Sequence, residues 1–79
     1  MKVRVDITLK AGVLDPQGEA VRHALGALGF EGVNGVRQGK VIELDLATDD
    51  AELAREQAAQ MARKLLANQV IENFAVTVI

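Results

Sequence analysis

Few side chains in this 79-residue chain are equipped for chemistry. The single imidazole, His23, falls on the opposite side of its predicted helix from the apolar residues, with no candidate ligand or orienting group beside it. A catalytic triad or a histidine-based zinc site needs several such groups together. We therefore interpret His23 as a solvated surface residue and predict no catalytic residue in this chain.

Three carboxylates lie close together in the sequence and resemble a site for a hard cation. They are Asp49, Asp50 and Glu52. They also fall in the first turn of a predicted helix, where the helix dipole stabilises negative charge without any metal. We favour the dipole explanation and predict no metal site.

Segment 35–39 begins and ends with glycine, yet it lacks the Gly-x-x-x-x-Gly-Lys-Ser/Thr pattern of a phosphate loop and no helix follows it directly. Arg37 and Lys40 flank Gly39, and two cations beside a glycine could bind one carboxylate or phosphate together. A turn that carries solubilising charge explains the pair equally well. Both alternatives stay open, and we predict no cofactor site.

Composition narrows the possible partners. Nine basic and eleven acidic side chains give a net charge of −2, and the aromatic residues are two Phe with no Tyr or Trp. Nucleic-acid binding normally needs a positive surface and aromatic stacking platforms, so we predict no nucleic-acid partner. No apolar run approaches the roughly 20 residues that span a bilayer, and charges alternate with apolar residues at the N-terminus. We expect no membrane partner, no signal peptide and a cytoplasmic location.

Chain length limits the core, because a domain of this size buries only about 60% of the surface that its unfolded chain exposes. Cysteine is absent, so neither a disulfide nor a cysteine-based metal site can reinforce it. We therefore expect a single domain over residues 1–79 that gains stability by self-association.

The N-terminal half shows the clearest periodicity. Residues 2–10 alternate between apolar and polar side chains, which is typical of a half-buried strand. Asp15 and Pro16 then predict the N-cap and first position of a helix, and Gly29 predicts its left-handed end. The apolar residues of this helix recur at helical spacing. They are Val21, Ala24, Leu25 and Leu28.

Segment 33–46 is extended but contains Asn34-Gly35 and Gln38-Gly39. We predict a hairpin with its tip at 37–40, and one long bulged strand is the alternative. The apolar side chains expected to face the core are Ile42, Leu44 and Leu46.

A second helix is predicted to begin at an Asp49–Glu52 capping box, with Thr48 as a competing cap, and to end at Asn68 in the left-handed conformation. Segment 71–79 is the last predicted strand. The expected apolar stripe of the helix comprises Ala54, Ala58, Met61, Ala62 and Leu65.

The resulting order, β-α-β-β-α-β, predicts an α+β fold: a ferredoxin-like antiparallel sheet with two helices on one face. The first strand should pair with the third, which places Lys2 and Arg4 opposite Glu43 and Asp45. The last strand should lie at an edge, and its outward residues are uncharged. We therefore predict dimerisation through that edge or face.

Four motifs carry a resemblance over most of the chain: KAGVLDPQG at 10–18, LGF at 28–30, VRQGK at 36–40 and LLANQVIE at 65–72. In this order and spacing they closely resemble the PurS family. PurS proteins are small subunits of the multisubunit phosphoribosylformylglycinamidine synthase of bacterial and archaeal purine synthesis.

The resemblance implies a noncatalytic subunit, a homodimer or homotetramer, that joins the ATP-using synthetase PurL to the glutaminase PurQ. In that reaction, ammonia from glutamine replaces the amide oxygen of formylglycinamide ribonucleotide, and PurL uses the ATP and Mg²⁺. The chain itself would bind no cofactor. The residues that we nominate for partner docking are Asp15, Pro16, Gln17, Arg37, Lys40, Asn68 and Glu72.

Two other functions are compatible with the predicted fold. The first is a small-ligand-sensing dimerisation domain of the ACT type, which has a similar fold and also pairs edge to edge. The second is an acylphosphatase-like enzyme, which would need an arginine in the loop after the first strand. Residues 11–14 contain none.

Overall fold

The computed structural model describes residues 1–79. Its elements are β1 (Lys2–Leu9), α1 (Pro16–Ala27), β2 (Lys40–Asp45), α2 (Ala51–Met61), a π-helical turn (Ala62–Leu66) and β3 (Glu72–Val78). The strands form one antiparallel sheet in the order β2-β1-β3. The α+β, ferredoxin-like class is confirmed, with three strands where four were predicted. None of the helices has the length and apolarity required to cross a membrane.

Strand β1 is the centre of the sheet and of the core. Its alternating apolar residues Val3, Val5 and Ile7 are at most 1% exposed. The register places Lys2 opposite Asp45 and Arg4 opposite Glu43, as predicted. On the two flanking strands, the side chains on the core face are half-buried and pack against this centre. They are Ile42 and Leu44 on β2, and Phe74, Val76 and Val78 on β3.

Helix α2 and the π-helical turn that follows it cover the core with a stripe of alanines. Ala54, Ala58 and Ala62 are fully buried and form one cluster with the β1 side chains. Small side chains allow a helix backbone to lie close to the sheet, so the packed layer is thin. The molecule measures 48 × 25 × 14 Å along its principal axes.

A π-helical turn changes the end of this helix. The N–H of Ala67 donates to the carbonyl of Ala62 at 2.9 Å, so the turn contains one residue more than an α-helical turn. Leu66 packs against the core, whereas Leu65 is 83% exposed. The predicted apolar stripe is therefore wrong at Leu65, because the extra residue in the turn rotates this side chain outward.

The predicted caps of this second helix also need correction. Asp50, rather than Asp49 or Thr48, is the N-cap, and its carboxylate accepts from the N–H groups of Glu52 and Leu53. At the other end, no residue other than glycine has a positive φ, so Asn68 forms no left-handed cap. The helix stops earlier, where Ala67 turns into an extended conformation.

Helix α1 begins and ends as predicted, with Asp15 as N-cap and Gly29 at a φ of 95°. The N–H of Phe30 donates to the Leu25 carbonyl at 3.0 Å, which closes the C-terminal turn. The helix has few contacts with the sheet, however, and α2 alone covers the sheet. This corrects the prediction that both helices share one covered face, and it leaves Val21 and Leu28 exposed.

Residues 33–39 form an irregular connection, and β2 starts only at Lys40. This corrects both the predicted hairpin and its alternative, one long bulged strand. The physical reason is a competing partner: the N–H of Gln38 donates to the Asp15 carboxylate at 2.8 Å and is not available to a neighbouring strand. Gly35 and Gly39 do not adopt the positive φ expected of turn residues.

Candidate functional site

The carboxylate of Asp15 joins two segments that are distant in the sequence. One oxygen accepts from the N–H of Gly18 in the first turn of α1, and the other accepts from the N–H of Gln38, both at 2.8 Å. Asp15 is only 7% exposed, so a buried charge holds the start of α1 against the connection that leads into β2. Both carboxylate oxygens are satisfied within the chain.

Arg37 strengthens the same junction from the other side. Its guanidinium donates to the carbonyls of Val13, Leu9 and Lys10, each at 3.1 Å. These three carbonyls belong to the end of β1 and the loop that follows it. The side chain of Gln38 adds a bond to the Gln17 side chain at 3.1 Å.

Two glycines make this close approach possible. A Cβ at Gly18 would collide with the carbonyl oxygen of Val36 and would lie 2.7 Å from an oxygen of Asp15. A Cβ at Gly39 would lie 2.6 Å from the carbonyl oxygen of Ile7. We call the bonds of Asp15, Arg37 and Gln38, together with these two glycine contacts, the loop clasp.

The loop clasp forms one wall of an open cleft of about 520 Å³. Ile7 and Leu9 of β1 lie at its base, and exposed polar groups surround it. Of the seven nominated docking residues, the cleft brings five together. They are Asp15, Pro16, Gln17, Lys40 and Glu72. Arg37 lines a neighbouring depression, and Asn68 lines neither.

Asn68 and Glu72 form a separate turn before β3. The Glu72 carboxylate accepts from the N–H of Asn68 at 2.7 Å, and the Asn68 side chain accepts from the N–H of Val70 at 3.1 Å. The Glu72 N–H in turn donates to the Asn68 carbonyl at 2.7 Å. Their hydrogen bonds thus shape the chain at the cleft edge.

The charge of Asp15 is stabilised where it lies. The backbone N–H groups of Gln38 and Gly18 lower the pKa of Asp15 below its ordinary value, and the positive charge of Arg37 acts in the same direction. These contributions outweigh the opposing effect of burial. Asp15 is therefore ionised at neutral pH.

Arg37 and Lys40 are not the paired cations at a hairpin tip that the sequence suggested. No hairpin is present, and three carbonyl oxygens already occupy the Arg37 guanidinium. Because these bonds direct the Arg37 guanidinium at backbone carbonyls, the structure adds no support for an acylphosphatase-like site. The Lys40 side chain makes no hydrogen bond or ion pair within the chain, and it is exposed.

Sequence reasoning missed Gln38, Gly18 and Gly39. Each acts through a partner in another segment, 23 residues away for Gln38 and Asp15, so no local pattern reveals it. The one available signal was their place inside the motifs at 10–18 and 36–40. No three His, Asp or Glu side chains lie close enough together to hold a metal ion.

Comparison with known proteins identifies the family. The family model described as PurS, phosphoribosylformylglycinamidine (FGAM) synthase, matches residues 2–79. The chain belongs to the PurS family.

Individual relatives agree with the family model. The chain is 49% identical to the PurS subunit of Synechocystis, covering 90% of this chain and 71% of that protein. It is 47% identical to the Bacillus subtilis PurS subunit, covering 92% and 86% of the two chains.

Solved structures agree as well. The crystal structure of Methanocaldococcus jannaschii PurS has a TM-score of 0.87 at 38% identity, covering 96% of this chain and 92% of that one. A chain in the structure of PurLQS from Thermotoga maritima has a TM-score of 0.88 at 29% identity, covering 99% and 95%. The loop clasp thus joins the two motifs, at 10–18 and 36–40, that carry much of the resemblance to the PurS family.

Gly18→Ala should destabilise the fold, because the new Cβ meets the Val36 carbonyl and the Asp15 carboxylate at the loop clasp. The expected loss of unfolding free energy is about 1–3 kcal/mol, measured by urea denaturation. Gly26→Ala in the same helix is the matched control. Its Cβ meets nothing within 4 Å, and we expect it to gain about 0.5–1 kcal/mol from helix propensity. Equal effects of the two variants would contradict the loop clasp.

Acid should weaken the fold through Asp15. Because its folded pKa lies below the ordinary value of 3.8, the charge stabilises the fold above pH 3.8 and this contribution is lost as pH falls through the folded pKa. Asp15→Asn should therefore reduce the slope of stability against pH in this acid range. Asp49→Asn, which removes an exposed carboxylate that accepts no hydrogen bond, is the matched control for the loss of one charge. Denaturation midpoints measured across this pH range provide the test.

Proposed function

We propose that this chain is the small, noncatalytic subunit of phosphoribosylformylglycinamidine synthase, and that it joins the synthetase PurL to the glutaminase PurQ. The match of the PurS family model over residues 2–79 is the observation that carries the proposal. The similarity to a chain of the PurLQS structure supports the choice of partners. In this reaction, ammonia from glutamine replaces the amide oxygen of formylglycinamide ribonucleotide while ATP is hydrolysed.

The side chains of this molecule suit a docking role. Its loop clasp uses the charges of Asp15 and Arg37 internally, and it holds Pro16, Gln17 and Lys40 exposed at one cleft. Groups that are held rigidly before binding lose little conformational freedom when a partner arrives. We therefore assign Asp15 and Arg37 to positioning the surface and the exposed residues to contact with a partner.

The cofactors and location follow from the same assignment. We propose that PurL holds the ATP and Mg²⁺ and that this chain binds neither. A cytoplasmic location agrees with the supply of glutamine and ATP that purine synthesis requires. Nothing favours the ACT-like alternative, since the comparisons identify the PurS family over nearly the whole chain.

Reconstitution tests the assignment directly. Adding the purified chain to the PurL and PurQ of the same organism should assemble a complex and restore glutamine-dependent synthesis, observed by gel filtration and product formation. Lys40→Glu should weaken assembly by about tenfold, equivalent to about 1.4 kcal/mol, because it reverses an exposed charge at the cleft. Lys64→Glu, on the π-helical turn away from the cleft, is the control for charge reversal and should bind normally. The proposal fails if the wild-type chain changes neither assembly nor activity.

We also propose that the chain forms a homodimer or higher homo-oligomer. Only nine of the 79 residues are buried, and Val21 of α1 and Leu28 at its C-cap are 40% and 74% exposed. Apolar side chains of β2 on the core face are only half-buried, because α2 packs against β1 and β3. The outward residues of the edge strand β3, Ala75 and Thr77, carry no charge that would repel a second strand.

Sedimentation of the isolated chain at micromolar concentration should show a dimer or larger species. Combined Val21→Asp and Leu28→Asp substitutions should shift it towards monomer, because they charge the unpaired stripe of α1. His23→Asp places one such charge on the solvated side of that helix and should leave the distribution unchanged. Thr77→Lys reports whether the β3 edge contributes. A monodisperse wild-type monomer would contradict self-association.

A further inference from the structure

The Asn34-Gly35 pair lies in the irregular connection between α1 and β2, and neither docking nor packing uses it. Both residues are exposed. Neither their backbone groups nor the Asn34 side chain takes part in a hydrogen bond. The Gly35 nitrogen is therefore free to approach the Asn34 side chain.

The surroundings of Gly35 impose no steric barrier. A Cβ built at this position would meet nothing within 4 Å, and glycine itself offers no side chain to shield its backbone nitrogen. We propose that Asn34 is a modification site, at which the chain deamidates spontaneously through attack by the Gly35 nitrogen.

The reaction needs only water as co-reactant. The Gly35 backbone nitrogen loses its proton and bonds to Cγ of Asn34, and the C–N bond of the side-chain amide breaks with release of ammonia. The product is a five-membered succinimide. Water then opens the ring: breaking the bond from nitrogen to Cγ gives aspartate, whereas breaking the bond to the backbone carbonyl carbon gives isoaspartate. The sum is asparagine plus water to aspartate or isoaspartate plus ammonia.

The other two asparagines are held differently. Asn68 accepts from the N–H of Val70 and is followed by Gln69, whose side chain crowds the attacking nitrogen. Asn73 lies within β3, where it is paired with Thr8 of β1. Ladder hydrogen bonds keep the backbone at Asn73 extended, and the side chain of Asn68 is already held by its bond to Val70. Neither asparagine can therefore readily close the succinimide ring. They are internal controls for Asn34.

Deamidation at Asn34 should weaken the loop clasp. Gly35 is followed directly by Val36, whose carbonyl lies against Gly18, and then by Arg37 and Gln38. Isoaspartate inserts one extra methylene carbon into the main chain immediately before this segment, and either product adds one negative charge. We expect the bond between the Gln38 N–H and Asp15 to open more often in the isoaspartate form.

The experiment is ageing of the full chain in mildly alkaline buffer, followed by peptide mapping by mass spectrometry. Asn34 should gain the mass change of an amide converted to an acid several-fold faster than Asn68 or Asn73. Gly35→Ala should keep the fold, because its φ is not positive and its Cβ has space, and should slow the change several-fold. Faster reaction at Asn68 or Asn73, or no slowing in Gly35→Ala, would overturn the proposal.

Hydrogen exchange tests the effect on the loop clasp. The deamidated protein, separated from the fresh protein by anion exchange, contains the isoaspartate form and should exchange the Gln38 amide several-fold faster than both the fresh protein and the Asn34→Asp variant. Asn34→Asp carries the added charge without the longer backbone, so it isolates the effect of the inserted carbon. Equal exchange in all three would overturn the coupling between Asn34 and the loop clasp.

Discussion

The Asp15 carboxylate is the group on which the rest of this structure depends. Its two oxygens accept N–H groups from α1 and from the connection to β2, and the only other hydrogen bond between these two parts of the chain is the one from the Gln38 side chain to Gln17. A buried carboxylate without such donors would be costly, whereas one with two backbone donors and a nearby guanidinium is stable. The direction in which α1 leaves the sheet, the start of β2 and the wall of the cleft all follow from this one side chain.

The rest of the packing is sparse by comparison. Ala54 and Ala58 of α2 and Ala62 of the π-helical turn form one cluster with the three apolar residues of β1, and little else is fully buried. Such a core specifies one side of the sheet and leaves α1 and the β2 side partly uncovered. A subunit that acts by contact with other proteins needs exposed surface of this kind. The small core is therefore consistent with a role in assembly.

Local patterns predicted much of the fold. Alternation in β1, the Asp15-Pro16 helix start and the glycine end of α1 depend on neighbouring residues, and the structure confirms all three. Segment 33–39 resisted prediction because the hydrogen bond of Gln38 goes to a residue 23 positions away. Leu65 resisted it because the π-helical turn shifts the helical period, and composition gives no sign of that turn.

The sequence predicted which residues belong to the candidate site better than it predicted what those residues do. Asp15 and Arg37 were singled out from their residue types, yet both act within the chain, whereas docking by Pro16, Gln17 and Lys40 stays a prediction. The sequence did not reveal the importance of Gly18. Only glycine fits there because the tertiary fold brings the Val36 carbonyl to the place that a side chain would occupy.

The 14 Å thickness of the molecule has a consequence for the living cell. A molecule this thin has a small core and gains much of its stability from the proteins that bind it. A partner that binds only the folded form shifts the equilibrium between folded and unfolded chains towards the folded form by mass action. Copies made in excess of their companions then spend more time open and are degraded sooner by proteases. The thin shape of the subunit therefore ties its stability to the presence of the proteins that bind it.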